Sequence, residues 1–579
     1  MRNIGIPAPP LDPEVVALAR QYGHRRDAIL DILRTLHDTH GGLTDTLLAD
    51  VARVLHLSPA QVAGVASFYA MLSTHRQAPH TIRLCDSAPC WLRGAAPLRA
   101  AVEATCGAGW TVTRTSCLGL CDRAPAALVD MQQCGPLTAE RLPEMWAGWR
   151  GEMPTYAQPL PGEVRVLLAH AGAIDPLSLD SALAHGAYQG LQRVVEQSPE
   201  DILATVEAAG VRGRGGAGFP VGQKWRYVAL QQRTPKYVVC NADESEPLVF
   251  KDRVLLETNP HQILEGIAIA AYAVGAREGV VYIRGEYAAQ AAILEQAIQQ
   301  AEASGYLGER LLGTPFSFHI RLHRGAGAYI CGEETALLES LQGNRGEPRV
   351  RPPYPTTNGY WGAPTVVNNV ETLATIPAIA AKGAAWYRTL GHPATPGTKL
   401  YTVLGHINRP GLFEAPYGLT LRQIMTQFGG GMRPGSTFHF ALTGGAAGTL
   451  VPATLLDVPI DYTSAARGVM LGASACLICD HSVSPVMLLR ELMHFFAAES
   501  CGKCTPCRIG TLQARQMLDR RVAGMGQPGD AATLAALAEV LETASFCGLG
   551  QSAAWPITSA LQHFGAAFAT PPLTRENPP

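Results

Sequence analysis

The sequence predicts a multidomain α/β protein, and three observations predict it. The 579 residues, 47% of them apolar, exceed what one core holds, since a domain takes roughly 100–200 residues. Short apolar runs of β type alternate with helical periodicity along most of the chain, the pattern of sheets covered by helices. A proline- and glycine-rich stretch, RGEMPTYAQPLPGE, interrupts that pattern at 150–163. The formal net charge of -2 gives no electrostatic reason to expect a nucleic acid or an anionic membrane as partner.

Residues 1–79 read as a helical segment, with VVALA, AILDILRTL and DTLLADVARVL separated by the turn signals HGG and HLSP. Residues 80–150 form an α/β module in which TIRLC, WTVTRTSC and AALVD surround a helical PLRAAVEA. After a linker at 151–163, residues 164–395 alternate strands (VRVLLA, KYVVC, GVVYIRG, FSFHIRLH) with helices (PEDILATVEAAG, ILEQAIQQAEA). Residues 396–482 return to short strands, KLYTVLG, TFHFAL and VPIDY, around one helix, LRQIMTQF, and residues 483–579 are mostly helical. The apolar GIAIAAYAVGA from Gly266 falls short of the ~18 residues of a membrane span. The start, MRNIGIPAPP, lacks the basic, apolar and small-residue order of a secretory signal, so the expected location is the cytoplasm.

In a reducing compartment, fourteen cysteines at tight spacings argue for ligation over disulfides. ESCGKCTPCRIG holds Cys501, Cys504 and Cys507 as C-x2-C-x2-C, and the only later cysteine is Cys547 in SFCGLG. Three thiolates from one tight loop and a fourth from a distant loop suit a cubane [4Fe-4S] cluster. Structural zinc is the competing reading, although zinc usually takes two separated C-x2-C knuckles. Cys85 and Cys90 form C-x4-C, and Cys117 and Cys121 form C-x3-C 26 residues further on. Two thiolate pairs, one per iron, are what a [2Fe-2S] group requires, with zinc again the alternative. Cys106, Cys134, Cys240, Cys331, Cys476 and Cys479 sit mostly in apolar or strand contexts, where cysteine acts as a small hydrophobe.

GRGGAGF from Gly213 matches G-x-G-x-x-G, but a helical segment precedes it where the dinucleotide fingerprint needs a strand. Its glycines still offer bare backbone to phosphate or a flat ring, with Arg212, Arg214 and Lys224 beside them. NADESEP follows the strand KYVVC and places Asn241, Asp243, Glu244 and Glu246 where α/β sheets bind ligands, a solvated acidic turn being the bland alternative. GAGAYICGEETALLES sets a glycine turn before a helix beginning near Glu333 and Glu334, whose free N–H groups bind anions or simply favour those carboxylates. RPPYPTTNGYWGAP and VVNNVET add aromatic and amide side chains suited to holding a ring.

Taken together, GRGGAGFPVGQKW, NADESEP, FKDR, GAGAYICGEE, VNNVET, ESCGKCTPCRIG and SFCGLG resemble, in order, the NADH- and FMN-binding subunit of respiratory complex I and its relatives in NAD-dependent hydrogenases and formate dehydrogenases. Residues 13–150, through SFYAML, the cysteine pairs and CLGLCDRAPA, resemble the thioredoxin-like [2Fe-2S] subunit of the same enzymes. GHINRPGLFEAPYGLTLRQI resembles a soluble-ligand-binding β-grasp domain. The chain is thus similar to a fusion of two usually separate subunits, with a helical cap, a thioredoxin-like module, an FMN/NADH-binding α/β domain, a β-grasp domain and a helical [4Fe-4S] domain.

The resemblance implies one [2Fe-2S] cluster on Cys85, Cys90, Cys117 and Cys121, and one [4Fe-4S] cluster on Cys501, Cys504, Cys507 and Cys547. It implies FMN lined by Gly213, Arg214, Gly215, Gly216, Gly218, Lys224, Asn241, Asp243, Glu244, Tyr329, Gly332, Glu333, Asn368 and Asn369. NAD(H) is expected on Phe219, Glu246, Glu334 and Tyr354, with Glu246 and Glu334 positioning it for hydride exchange with FMN and no side-chain base required. Retention of all four N-terminal cysteines leans towards a molybdenum or tungsten formate dehydrogenase as partner, ahead of a hydrogenase or a complex I assembly. A non-catalytic zinc- and nucleotide-binding scaffold is the competing class. Two departures from the family pattern stand out: Leu248 where EPG is usual, and Arg351 with Tyr354 in RPPYP where a lysine before PPFP is usual.

Overall fold

Four helices open the computed structural model, Pro13–Gln21, Ile29–His40, Asp45–Val54 and Pro59–Ala66. The structure describes residues 10–569, so most of the stretch read for a secretory signal, and the final prolines, lie outside the described residues. Asp12, Thr44 and Ser58 start three of these helices by accepting backbone N–H groups that a helix N-terminus leaves unpaired. Ile29, Ile32, Leu33 and Leu36 recur at helical spacing, are buried, and belong to the same core as the large central domain.

The next unit is a four-stranded sheet of β1 (His80–Cys85), β2 (Trp110–Thr115), β3 (Ala127–Val129) and β4 (Gln132–Cys134) in the order β2-β1-β3-β4. Strands β1 and β2 are parallel and the other neighbours antiparallel. Cys85 ends β1, and Cys117 and Cys121 lie in the loop between β2 and β3.

The central sheet holds β5 (Tyr237–Ala242), β6 (Glu278–Ile283), β7 (His319–Arg324) and β8 (Thr365–Asn369), all parallel, in the order β7-β6-β5-β8. The β-branched runs at 238–239 and 280–281 are fully buried, as a parallel sheet covered by helices requires. The chain steps outward from β5 to β7 and then returns to add β8 on the other side of β5. Such a reversal opens a crevice outside the carboxyl ends of the two strands that flank it, here β5 and β8.

A five-stranded sheet follows, in the order Gly411–Pro416, Thr398–Gly405, Ala475–Asp480, Phe438–Thr443, Thr449–Pro452. It has its own core, in which the rings of Phe413 and Phe428 stack 4.0 Å apart. The C-terminal part is helical: Pro485–Glu499, Thr505–Val522, Asp530–Ala544, Gly548–Ser552 and Ala554–Ala569. Among the described residues, no helix is long and apolar enough to cross a membrane.

Two expectations fail locally, while the helix expected at LRQIMTQF forms. VRVLLA is not a strand, because the N–H groups of Val166, Leu167 and Leu168 turn together onto Glu414 Oε2 at 2.9, 2.9 and 3.0 Å, and that buried carboxylate overrides the β pattern. VPIDY contributes only a single bridge between Pro459 and Thr420. LRQIMTQF begins as a helix at Leu421–Gln423 and widens into a π turn at Ile424–Phe428. Cys476 and Cys479 lie buried in the strand Ala475–Asp480, as packing residues should.

Candidate functional site

A cavity of about 600 Å³ opens at the carboxyl ends of β5 and β8, lined by Gly213, Gly215, Gly218, Phe219, Lys224, Asn241, Gly332, Glu333, Glu334, Tyr354, Asn368 and Asn369 among others. That volume suits a small-molecule site, ~300–1,000 Å³. The glycine loop closes on itself through Gly213 N–H to Phe219 O (2.9 Å) and is held from outside by Tyr462, whose hydroxyl donates to Gly213 O (2.8 Å). Two of its glycines have left-handed backbone. A Cβ on Gly218 (φ +66°) would stand 2.4 Å from the Tyr462 ring, and Gly216 (φ +119°) faces open space. The Arg214 side chain leaves the pocket altogether. It is buried and donates to Glu371 Oε1 (3.0 Å), Thr398 O and the Tyr387 hydroxyl (2.6 Å), which ties the loop to the five-stranded sheet.

Across the cavity Lys224 Nζ meets Glu334 Oε2 and Val367 O at 3.0 and 3.1 Å. Glu333 caps the helix Glu334–Leu341, accepting from the N–H groups of Thr335 and Ala336, both at 2.9 Å. Arg351, in the place of the usual lysine, puts Nη1 3.6 Å from Glu334 Oε1 and 3.7 Å from Glu333 Oε1. Phe219 and Tyr354 stand 44% and 55% exposed at the mouth, with Lys224 Nζ 6.0 Å from the Phe219 ring centroid.

Three asparagines of the cavity wall are fixed by partners of their own, whereas Asp243, Glu244 and Glu246 lie outside the lining. Asn241 Nδ2 donates to Gly332 O at 2.9 Å, and Asn368 Oδ1 accepts from Trp225 Nε1 at 2.8 Å. Asn369 caps the helix Val370–Lys382. Glu244 faces away, capping the helix Lys251–Thr258 by accepting from the N–H groups of Asp252 and Arg253 at 2.7 and 2.9 Å. Asp243 accepts from Ser245 Oγ at 2.6 Å. Glu246 is engaged by the Tyr329 hydroxyl and by Ala447 N–H (2.9 Å), and burial pushes its carboxyl up to about 7.

The two cysteine groups are each brought together by the fold. Cys501, Cys504, Cys507 and Cys547 line one cleft with Ile330, Pro348 and Phe546. Cys117 Sγ lies 3.3 Å from Cys121 Sγ, and the Cys85 thiol faces both Cys90 and Cys117. All four of these are buried. The cleft and the cavity share a wall: Gly548 lines the cavity and its neighbour Cys547 lines the cleft.

Leu248 preserves the turn that glycine would make easily. Its φ is +80°, its side chain is fully buried, its carbonyl accepts from Thr402 Oγ1 at 2.9 Å, and its N–H donates towards the Cys121 sulfur. A bulky residue in this region carries strain of about 1–3 kcal/mol that the surrounding packing sustains. Gln223, Tyr227, Thr372 and Gly548 also line the cavity and were not foreseen. Tyr227 was findable, since it stands at i+3 from Lys224 on the helix Val221–Ala229, and Gln223 follows as its i−4 neighbour, donating to the Tyr227 hydroxyl at 2.6 Å.

A glycine-rich pocket at the carboxyl ends of a parallel sheet, with a four-thiol cleft on its wall and a second four-thiol group in the N-terminal module, is chemically suited to a flat cofactor beside sulfur-bound metal. Residues 206–378 match the Nuo51 FMN-binding domain, 487–570 the NADH-ubiquinone oxidoreductase-F iron-sulfur binding region, 15–150 the thioredoxin-like [2Fe-2S] ferredoxin and 400–446 the SLBB domain. The chain is 45% identical over 405 residues to an NADH-quinone oxidoreductase subunit of Rhizobium meliloti, covering 70% of this chain and 96% of that one. It is 43% identical over 407 residues to the NADP-reducing hydrogenase subunit HndC of Solidesulfovibrio fructosivorans, covering 70% and 83%. A chain of the crystal structure of NAD+-reducing [NiFe]-hydrogenase in the air-oxidized state superposes with a TM-score of 0.81 at 34% identity, covering 96% of this chain and 95% of that one. The protein belongs to the NADH-quinone oxidoreductase family, among its FMN- and NADH-binding subunits. It is an NADH-dehydrogenase or diaphorase subunit of the complex I or NAD-reducing hydrogenase type, with FMN, NADH, [4Fe-4S] and [2Fe-2S] as its cofactor complement and a thioredoxin-like domain fused to the flavin domain.

Proposed function

We propose that this chain is the NAD(H)-facing electron-exchange subunit of a molybdenum- or tungsten-dependent formate dehydrogenase, working in the cytoplasm. The observation that carries the electron-exchange role is the shared wall: one peptide bond joins Gly548 in the cavity to Cys547 in the thiol cleft. The donors fit the groups they would hold. A glycine cradle with room beside Gly216 admits a flat ring, and each thiol set supplies four sulfurs, Cys85, Cys90, Cys117 and Cys121 in one and Cys501, Cys504, Cys507 and Cys547 in the other.

When bound, FMN exchanges two electrons with the nicotinamide and single electrons with the clusters. The residues do the rest. Lys224, fixed by Glu334, presents a cation to an anionic cofactor edge, and the Gly213 to Gly218 backbone approaches the ring. Asn241, Asn368 and Asn369 hold that wall rigid through their own hydrogen bonds. Phe219 and Tyr354 would offer their exposed rings to the nucleotide at the mouth and Glu334 would help to orient it, while Glu246, held by Tyr329, would brace the site from outside the lining, and no side-chain base is called for.

The complete N-terminal cysteine set supports the formate dehydrogenase setting. A second reading, the diaphorase subunit of an NAD-reducing hydrogenase, draws support from the likeness to a hydrogenase chain over 96% of this one; a complex I module ranks third. Purifying the native complex and comparing formate:NAD with hydrogen:NAD activity tests the choice. Formate activity alone is the expected result, and hydrogen uptake without formate activity overturns it.

A further inference from the structure

Arg284, one residue past the end of β6, is 3% exposed and reaches out of the flavin domain into the thioredoxin-like module. Its Nη2 donates to the carbonyl of Cys117 at 2.6 Å, and its Nη1 donates to the carbonyl of Glu244 at 2.5 Å. The same guanidinium pairs with Glu286, Nη2 to Oε1 at 2.9 Å and Nε to Oε2 at 3.1 Å, and lies 5.1 Å over the Tyr287 ring. Tyr287 in turn presses on the Cys117–Cys121 loop: a Cβ on Gly119 would stand 2.0 Å from its hydroxyl oxygen. Gly119 N–H completes the junction by donating to Cys117 Sγ at 3.4 Å.

We propose that Arg284 and Glu286 are an opposed charge pair that sets the reduction potential of the [2Fe-2S] group, Arg284 raising it and Glu286 lowering it. The inference rests on reading Cys85, Cys90, Cys117 and Cys121 as that group's ligands. Adding one electron there adds one negative charge inside a low-dielectric junction, where a fixed cation stabilises the reduced form and a fixed anion destabilises it. Arg284 keeps its charge at every accessible pH. The other ionisable groups that face it are Asp243 and Tyr287 of its own domain, Cys117 across the junction and Glu499 of the C-terminal part, so it is the cation in a largely acidic surround. Deleting the guanidinium removes the cation bonded to Glu286 and leaves it only Arg83 of β1, which faces it without an ion pair among the described residues, and neutralising Glu286 removes the bonded anion and leaves Arg284 the less direct Asp243 and Glu499. A purely structural role would loosen the same loop in either case and move the potential one way.

The test is an anaerobic EPR-monitored redox titration of the intact full-length chain, with iron and sulfide content measured alongside. Arg284→Gln is expected to move the [2Fe-2S] midpoint to more negative values by at least a tenfold change in the reduced:oxidised ratio at fixed poise, about 59 mV for one electron. Glu286→Gln is expected to move it the other way, and Arg284→Lys to recover most of the wild-type value. Shifts of one sign in both neutralised variants, or no shift in either, overturn the proposal. Should Arg284→Gln not assemble its cluster, Glu286→Gln decides alone, and a midpoint that does not rise overturns it. A wild-type chain without a [2Fe-2S] signal overturns the cluster reading as well, whereas a normal wild-type signal with unmoved variants overturns this proposal only.

Discussion

Lys224 Nζ lies 3.0 Å from Glu334 Oε2, joining the helix after the glycine loop to the helix that starts beyond β7. Both side chains are about four-fifths buried, 19% and 24% exposed, so desolvation offsets much of the attraction, and Arg351 Nη1 at 3.6 Å from Glu334 gives that carboxylate a second cation. The pair's position on opposite walls of the cavity gives it another use, holding an ammonium where an anionic cofactor can reach it. Lys224→Ala is expected to leave the unfolding midpoint within a degree or two while weakening flavin retention about ten- to a hundredfold, the worth of one charge-assisted hydrogen bond. Flavin fluorescence released on dilution measures it.

Phe219 and Tyr354 are more exposed than large rings in a settled surface need to be. Phe219→Ala should therefore raise KM for NADH roughly tenfold with kcat nearly unchanged, as loss of uniform binding requires. Steady-state kinetics with an artificial acceptor checks this, and an unchanged KM would remove Phe219 from the nucleotide site.

Glu371 gathers three buried cations, Arg214 (3.0 Å), Lys251 (3.2 Å) and Lys399, from the glycine loop, the helix Lys251–Thr258 and the five-stranded sheet. Burial pushes its carboxyl up, but Lys399, Lys251 and Arg214 outweigh that and hold it at about 2, against an ordinary value of 4.5. A depressed carboxyl stabilises the fold above its unfolded value and loses that contribution as pH falls through its folded value, so the window runs from pH 4.5 down to about 2. Glu371→Gln is expected to cost about 3 kcal/mol at neutral pH, because it removes the carboxylate shared by three buried groups; Lys251 keeps Asp252 at 2.7 Å and Arg214 keeps Tyr387, whereas Lys399, which burial already pushes down to about 7, loses its carboxylate partner. Denaturant titrations at several pH values should show the deficit shrinking as the pH drops through that window.

Glu414 Oε2 accepts three consecutive N–H groups where a strand was expected, and its Oε1 accepts from Thr398 Oγ1. Removing the acceptor leaves buried donors unpaired at about 1–3 kcal/mol each. Glu414→Ala should destabilise the chain by at least about 2 kcal/mol and speed amide exchange at 166–168 specifically, which hydrogen exchange resolves residue by residue.

The same carboxylate shows where the sequence stops being legible. Periodicity found β5, β6 and β7 and the helices at 199–209 and 288–303 because each is decided by neighbours within a turn or a strand. VRVLLA failed because its fate is set by a residue some 250 positions away. Cys547 was assignable as the fourth sulfur of its cleft by elimination, and the glycine cradle was visible in GRGGAGF. The outward turn of Arg214 was not visible, since arginine beside glycines reads as a ligand contact until Glu371 and Tyr387 are known to stand behind it. Leu248 shows the reverse. It stands where the family pattern has glycine, yet the backbone keeps φ +80° because Thr402 and the Cys121 loop pin both sides of the peptide.

The most direct test of the account is an anaerobic visible and EPR spectrum of the isolated chain before and after adding NADH. Flavin bleaching with two reduced-cluster signals is expected, one lost selectively in Cys547→Ser and the other in Cys85→Ser. A colourless chain that contains zinc and does not respond to NADH would contradict it.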